Sequence, residues 1–184
     1  MDRLELYFIA LLPDMKLRDV IGEMKTEMKR DFSSSHALKS PAHITVQMPF
    51  KMTAENEPQI VKALKEFAAG EKPFLVELDS FGAFAPRVIF IKVREHFNIT
   101  GLHSRLKDVL LAQMGFPQDE IMTVVHPHIT LATRDLSRDN FGQAWPKFEG
   151  REFAASFEVN SIFLLKHNGR NWDIFGEFTF GGAS

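Results

Sequence analysis

His43-Ile44-Thr45-Val46 recurs 85 residues further along the chain as His128-Ile129-Thr130-Leu131. Each tetrapeptide has a histidine and a threonine two positions apart, with apolar residues between and after them. In an extended strand, residues i and i+2 project from the same face. Each stretch therefore predicts a strand that presents one imidazole and one hydroxyl on one face and buries the other face in a core.

The segments that precede the two tetrapeptides keep the same offset. The apolar strand pattern of residues 3–12 corresponds to residues 88–93, and the helical pattern of residues 14–31 corresponds to residues 99–114. The sequence therefore predicts two copies of a strand–helix–strand unit, at about residues 3–50 and 88–133. If the copies pack about a pseudo-two-fold axis, the two histidine strands face each other across a cleft.

The remaining segments predict one more helix and several strands. Residues 55–69 have helical periodicity, and residues 74–81 and 88–93 predict paired strands around a connection at 82–87. We expect the C-terminal third to consist mostly of strands, with Asn168-Gly169 in the turn of a hairpin. The predicted strands of that third are residues 153–159, 161–167 and 172–180.

Composition limits the classes of function. A chain of 184 residues fits one domain, and its formal net charge of −2 argues against sequence-independent binding of duplex DNA. It has no cysteine, which excludes disulfides and thiolate chemistry. We find no secretory signal and no membrane-spanning stretch, and we expect a cytoplasmic monomer that does not associate with membranes.

A metal site is the main alternative use of these histidines. His126 and His128 share a strand face and, with His43, offer three imidazoles. Metal barrels that use such a His-x-His pair add a glutamate a few residues later, and residues 129–134 contain none. We therefore predict no metal and no cofactor.

Basic residues near the ends of the predicted strands are further candidates. Lys166, His167 and Arg170 cluster at the C-terminal hairpin, where they can close over an anion, and Arg134 and Lys51 are weaker candidates of the same kind. The other histidines are expected on the solvated surface; they are His36, His96 and His103.

The two His-x-Thr strands on a duplicated strand–helix–strand unit resemble the 2H phosphoesterase superfamily, which includes bacterial 2′-5′ RNA ligases and RNA 2′,3′-cyclic phosphodiesterases. The resemblance covers nearly the full length. Residues 81–91 look like the family's central hairpin, residues 126–132 like its second motif strand, and residues 164–180 like its terminal hairpin.

The resemblance implies a single bilobal α+β domain over residues 1–184, with two antiparallel sheets enclosing a central cleft and helices outside. It also implies His43, Thr45, His128 and Thr130 as active residues. Thr133 stands before Arg134, where the family often has the arginine directly, so the resemblance does not assign Arg134 to phosphate. Trp172 is the aromatic residue of the last hairpin, where a tyrosine is common, and we count it among the substrate-binding candidates.

The expected activity is metal-independent hydrolysis of a 2′,3′-cyclic phosphate on an RNA end or a small cyclic nucleotide. One histidine acts as base and the other as acid, and the sequence does not say which. The same chemistry with a 5′-hydroxyl in place of water joins a cyclic phosphate end to that hydroxyl, which is 2′-5′ RNA ligation. The alternatives are a non-catalytic module that binds RNA ends or nucleotides, and the same chemistry on another cyclic phosphate such as ADP-ribose 1″,2″-cyclic phosphate.

Overall fold

The computed structural model describes residues 3–181, which form an α+β structure of eight strands and four helices. The helices are α1 (Met15–Phe32), α2 (Glu57–Ala69), α3 (Phe97–Met114) and α4 (Arg138–Glu149). The strands are β1 (Leu4–Leu11), β2 (Ile44–Thr53), β3 (Phe74–Phe84), β4 (Val88–Val93), β5 (His128–Ala132), β6 (Ala154–Val159), β7 (Ser161–His167) and β8 (Trp172–Thr179).

The strands form two four-stranded antiparallel sheets, in the orders β2-β1-β7-β8 and β5-β4-β3-β6. This confirms the predicted fold class. Each His-x-Thr stretch leads into or lies in the edge strand of its own sheet, and the two edge strands come into contact. Because the chain order β1-α1-β2 is followed again by β4-α3-β5, both edge strands are reached through the same connection.

Strand alternation sorts the residues of the two edge strands as the pattern predicts. Ile44, Val46, Ile129 and Leu131 are completely buried in one continuous core that includes residues of all four helices. Burying such a side chain contributes about 1.5–3 kcal/mol. The histidine and threonine of each motif therefore lie on the face turned away from this core.

A smaller apolar cluster lies on that second face of the first sheet. The cluster consists of Phe8 and Ala10 of β1, Leu12 directly after β1, and Phe163 and Leu165 of β7. Trp172 packs against this cluster. Ala10 is directly paired with Thr45, so this cluster forms the floor beside the first motif.

The three strands predicted for the C-terminal third are confirmed, but α4 was not predicted, and the surface position expected for His103 was wrong. Residues 138–149 form α4; Ser137 accepts a hydrogen bond from the Asn140 amide at its start, and Phe141 and Phe148 are buried. His103 is 5% exposed inside α3 and its Nε2 lies 2.9 Å from the carbonyl oxygen of Met122.

Within residues 3–181, none of the helices combines the length and the hydropathy needed to cross a bilayer.

Candidate active site

Both motif histidines are held by the same backbone contact. Nδ1 of His43 lies 2.7 Å from the carbonyl oxygen of Pro41, and Nδ1 of His128 lies 2.5 Å from the carbonyl oxygen of His126. A carbonyl oxygen only accepts hydrogen bonds, so Nδ1 carries the proton in both rings. Nε2 is then the nitrogen of each imidazole that is free to accept or deliver a proton.

The surroundings of the two rings favour the neutral imidazole. Burial lowers the pKa of His43 to about 4, with smaller contributions in the same direction from Lys25 and His128, while the bond to Pro41 opposes the shift. Burial also lowers the pKa of His128, and His126 adds to this. Without substrate, both rings are therefore uncharged at neutral pH.

A cavity of about 150 Å³ joins residues of the two motifs. His43 and Thr45 line it from the first motif and Thr130 from the second. His128 is not one of the lining residues, but it is close enough to His43 for its charge to lower the pKa of His43. Among the described residues, neither threonine hydroxyl has a hydrogen-bond partner, so both are available to a ligand. The remaining lining residues are Phe8, His36, Ala37, Lys39, Ser40, Pro49, Thr133, Arg134 and Trp172.

Aromatic side chains fix the orientation of both imidazoles. The ring of His43 packs on Phe8 with 4.8 Å between centroids, and the ring of His128 packs on Phe84 and Phe90 at 5.4 and 5.0 Å. Trp172 meets Phe8 edge to face at 4.6 Å. Such contacts hold each ring in one orientation, and in the part of the chain that the structure describes no hydrogen-bond partner occupies Nε2 of either ring.

Of the four substrate-binding candidates in the C-terminal hairpin, the structure places some near the cavity and others away from it. Trp172 lines the cavity, and His167 packs on it at 4.9 Å. Lys166 belongs to the opposite face of β7, where its Nζ donates to Glu57 at 2.7 Å, and is thus not brought together with the motif residues. Arg170 is exposed at the hairpin turn.

Sequence reasoning missed most of the segment that precedes the first motif. His36, expected on the solvated surface, is half-buried and lines the cavity with Lys39 and Ser40. Lys25, a buried residue of α1, donates hydrogen bonds of 3.0 Å to the carbonyl oxygens of Ala37 and Ser40. In the sequence, the only indication that these residues line the cavity was their closeness to His43 along the chain. Closeness along the chain does not show which face of the sheet a connecting segment lies on.

The two weaker basic candidates, Arg134 and Lys51, lie at different cavities. Arg134 lines the cavity, with its backbone in the left-handed region at φ 56°. Lys51 is exposed and lines a different cavity, beside Gln59 and Phe116.

Among residues 3–181, no three histidine, aspartate or glutamate side chains converge in a way that could hold a metal ion. His126, the residue on which the alternative of a metal site depended, is exposed, and its ring lies 5.8 Å from that of His128.

Comparison with known proteins gives relatives over the whole length. "Putative phosphoesterase BH1439" of Halalkalibacterium halodurans is 28% identical over 179 residues, covering 95% of this chain and 97% of its own. A protein of Bacillus pumilus, also named "Putative phosphoesterase", has the same identity and coverage.

Solved structures show the same fold at lower identity. TT0787 of Thermus thermophilus aligns with a TM-score of 0.67 at 21% identity, covering 98% of this chain and 100% of its own. LigT of E. coli, solved with 3′-AMP, aligns with a TM-score of 0.66 at 18% identity and the same coverage. The model of the 2′-5′ RNA ligase superfamily matches residues 13–171, a range that includes both His-x-Thr strands. The chain belongs to the 2′-5′ RNA ligase superfamily, whose other name is the 2H phosphoesterases.

Proposed function

We propose that this phosphoesterase-family protein hydrolyses 2′,3′-cyclic phosphates without a metal ion, with His43 and His128 as its acid–base pair. The observation that carries the proposal is the matched pair of Nδ1–carbonyl contacts, which leaves one free Nε2 on each histidine beside a cavity containing Thr45 and Thr130. Proton transfer to and from oxygen needs two such groups, one neutral and one protonated.

The reaction follows from these roles. One neutral imidazole removes a proton from water as the water oxygen bonds to phosphorus. The bond from phosphorus to one ribose oxygen breaks, and the protonated imidazole delivers its proton to that oxygen. A phosphate monoester and a free ribose hydroxyl result. With a 5′-hydroxyl in place of water as the nucleophile, the same steps in the same direction join two RNA ends.

Thr45 and Thr130 are assigned to the non-bridging oxygens of the phosphate. Their hydroxyls donate hydrogen bonds as negative charge grows on these oxygens in the transition state. Trp172 offers an aromatic face beside the same cavity, on which a nucleobase can stack. The crystal structures of E. coli LigT with 3′-AMP and with NADP+ support a nucleotide as the substrate of this chain.

Single substitutions of the two histidines test the proposal. We expect His43→Ala and His128→Ala each to lower kcat by about 10²–10⁴-fold on a 2′,3′-cyclic phosphate, since each removes one proton transfer. The assay compares an oligonucleotide with a 2′,3′-cyclic end, cyclic mononucleotides and ADP-ribose 1″,2″-cyclic phosphate, with and without EDTA.

His126→Ala is the matched control, because it removes a neighbouring imidazole but keeps the main-chain carbonyl that holds His128. We expect activity close to that of the unaltered protein. Loss of activity in this variant, or on addition of EDTA, would contradict the metal-free mechanism. Binding of the cyclic phosphate without turnover would favour a non-catalytic module.

A further inference from the structure

Three arginines line a second cavity of about 270 Å³, which we call the arginine pocket. Arg87 comes from the turn between β3 and β4, Arg134 follows β5, and Arg138 begins α4. None of the three pairs with a carboxylate among residues 3–181. By contrast, Arg30, Arg94, Arg105 and Arg151 each form such a pair. The other lining residues are Pro86, Asp135, Leu136 and Ser137.

The one carboxylate of the arginine pocket is already occupied. Asp135 accepts hydrogen bonds from the Ser34 hydroxyl at 2.9 Å, from the Ser35 amide and hydroxyl at 2.8 and 3.2 Å, and from the His36 amide at 2.9 Å. Its negative charge is therefore engaged by the segment before the first motif, and it forms no ion pair with the three arginines.

Positive charge continues from the arginine pocket into the active-site cavity. Arg134 lines both cavities, and Lys39 and His36 line the active-site cavity. After burial, Arg134 and Lys39 are the main causes that lower the pKa of His36, which shows how near the three groups are. Such a cluster is notable in a chain whose formal net charge is −2.

Unpaired like charges held together destabilise one another, and a bound anion removes that cost. Guanidinium groups suit phosphate because they donate two parallel hydrogen bonds to its oxygens. A pocket that shares Arg134 with the active-site cavity lies within reach of the next phosphate groups of a strand whose end is bound there.

We propose that the arginine pocket binds a backbone phosphate of single-stranded RNA on the 5′ side of the reacting end, which makes an oligonucleotide the preferred substrate over a mononucleotide. This assignment rests on the proposed function. The pocket acts in binding and takes no part in the proton transfers.

Two substrates that differ only in length test the assignment. They are 2′,3′-cyclic CMP and a tetraribonucleotide that ends in the same cyclic phosphate. We expect Arg87→Ala and Arg138→Ala each to lower kcat/KM for the tetranucleotide about tenfold, the loss that corresponds to one charge-assisted hydrogen bond, and to leave 2′,3′-cyclic CMP within about twofold. Equal losses on both substrates, or no loss on the longer one, would overturn the assignment.

Lys65→Ala is the matched control, because it removes one exposed positive charge from α2, a helix that packs against the other sheet. It should change neither value. Both arginines are exposed, and thermal denaturation verifies that their variants remain folded.

A binding measurement separates failure of this assignment from failure of the proposed function. Fluorescence anisotropy reports the binding of a labelled tetraribonucleotide with a 3′-hydroxyl, which cannot react. If the unaltered protein turns over neither substrate, the proposed function fails. The anisotropy measurement then tests by itself whether the arginine pocket binds RNA. Weaker binding by the two arginine variants and not by Lys65→Ala supports it, and unchanged binding overturns it.

Discussion

At the scale of single residues, the lowered pKa values of His43 and His128 determine the pH dependence that we expect of the proposed reaction. The active form needs one neutral and one protonated imidazole. With the pKa of His43 at about 4 and that of His128 below its usual value, this form is most populated at acidic pH, where His43 is the neutral member. In the proposed reaction we therefore assign His43 as the base and His128 as the acid.

The pH profile of kcat/KM, which reports the free enzyme, should accordingly be bell-shaped with its maximum between about pH 4 and 6.5. The value should fall as pH rises further, because His128 loses its proton. A bound phosphate carries negative charge and raises the pKa of His128, so the decline in kcat should come at higher pH than the decline in kcat/KM. A maximum of kcat/KM above pH 7 would contradict these assignments.

At the scale of secondary structure elements, β3 and β4 approach each other closely beside the second histidine. A Cβ atom on Gly82 would lie 2.6 Å from Cε2 of Phe90, and the ring of Phe90 packs on His128. Gly82→Ala should therefore displace Phe90, destabilise the fold by about 1–3 kcal/mol, and lower kcat through the misplaced imidazole. Urea unfolding and steady-state kinetics measure the two effects.

Gly142→Ala in α4 is the control for that substitution. Nothing lies within 4 Å of its added Cβ, and replacing a helix glycine by alanine stabilises a protein by about 0.5–1 kcal/mol. Equal behaviour of the two variants would mean that the contact with Phe90 has no effect on the site.

Some secondary structure elements were predictable from the sequence, and others were not. The two motif strands were predictable because period-two alternation separates Ile44 and Ile129 from the histidines in each copy. Helix α4 was missed, although Phe141, Ala144 and Phe148 have helical spacing, because Gly142 and Pro146 interrupt the pattern. The position of the short 3-10 helix His36–Lys39 depends on contacts distant in sequence, such as Asp135 with Ser35, and no local pattern encodes them.

At the scale of the whole molecule, Asp135 joins the two strand–helix–strand units. Its carboxylate, which follows β5, holds the segment of residues 34–36 that precedes β2. Burial raises its pKa, but the hydrogen bonds from Ser35, Ser34 and His36 prevail and lower it. A lowered pKa means that the stabilisation is present above the usual value of 3.8 and is lost as pH falls through the lower native value.

Asp135→Asn should thus lower Tm at neutral pH, since the neutral amide has one acceptor oxygen in place of two and loses the charge-assisted hydrogen bonds. It should also raise KM, because His36 and Lys39 line the cavity. The difference in Tm from the unaltered protein should shrink as pH falls below 3.8. Asp139→Asn, in the first turn of α4, removes an exposed carboxylate without such bonds; it should leave KM unchanged and lower Tm much less, by the small contribution of a first-turn carboxylate to helix stability.

The backbone acceptors of His43 and His128 bear on how far this sequence can diverge. A carbonyl oxygen is present whichever amino acid occupies positions 41 and 126, so substitution there does not delete the group that sets the tautomer. Only a change in the path of the chain can remove it. Substitutions at positions 41 and 126 can therefore accumulate without changing which nitrogen of each histidine carries the proton.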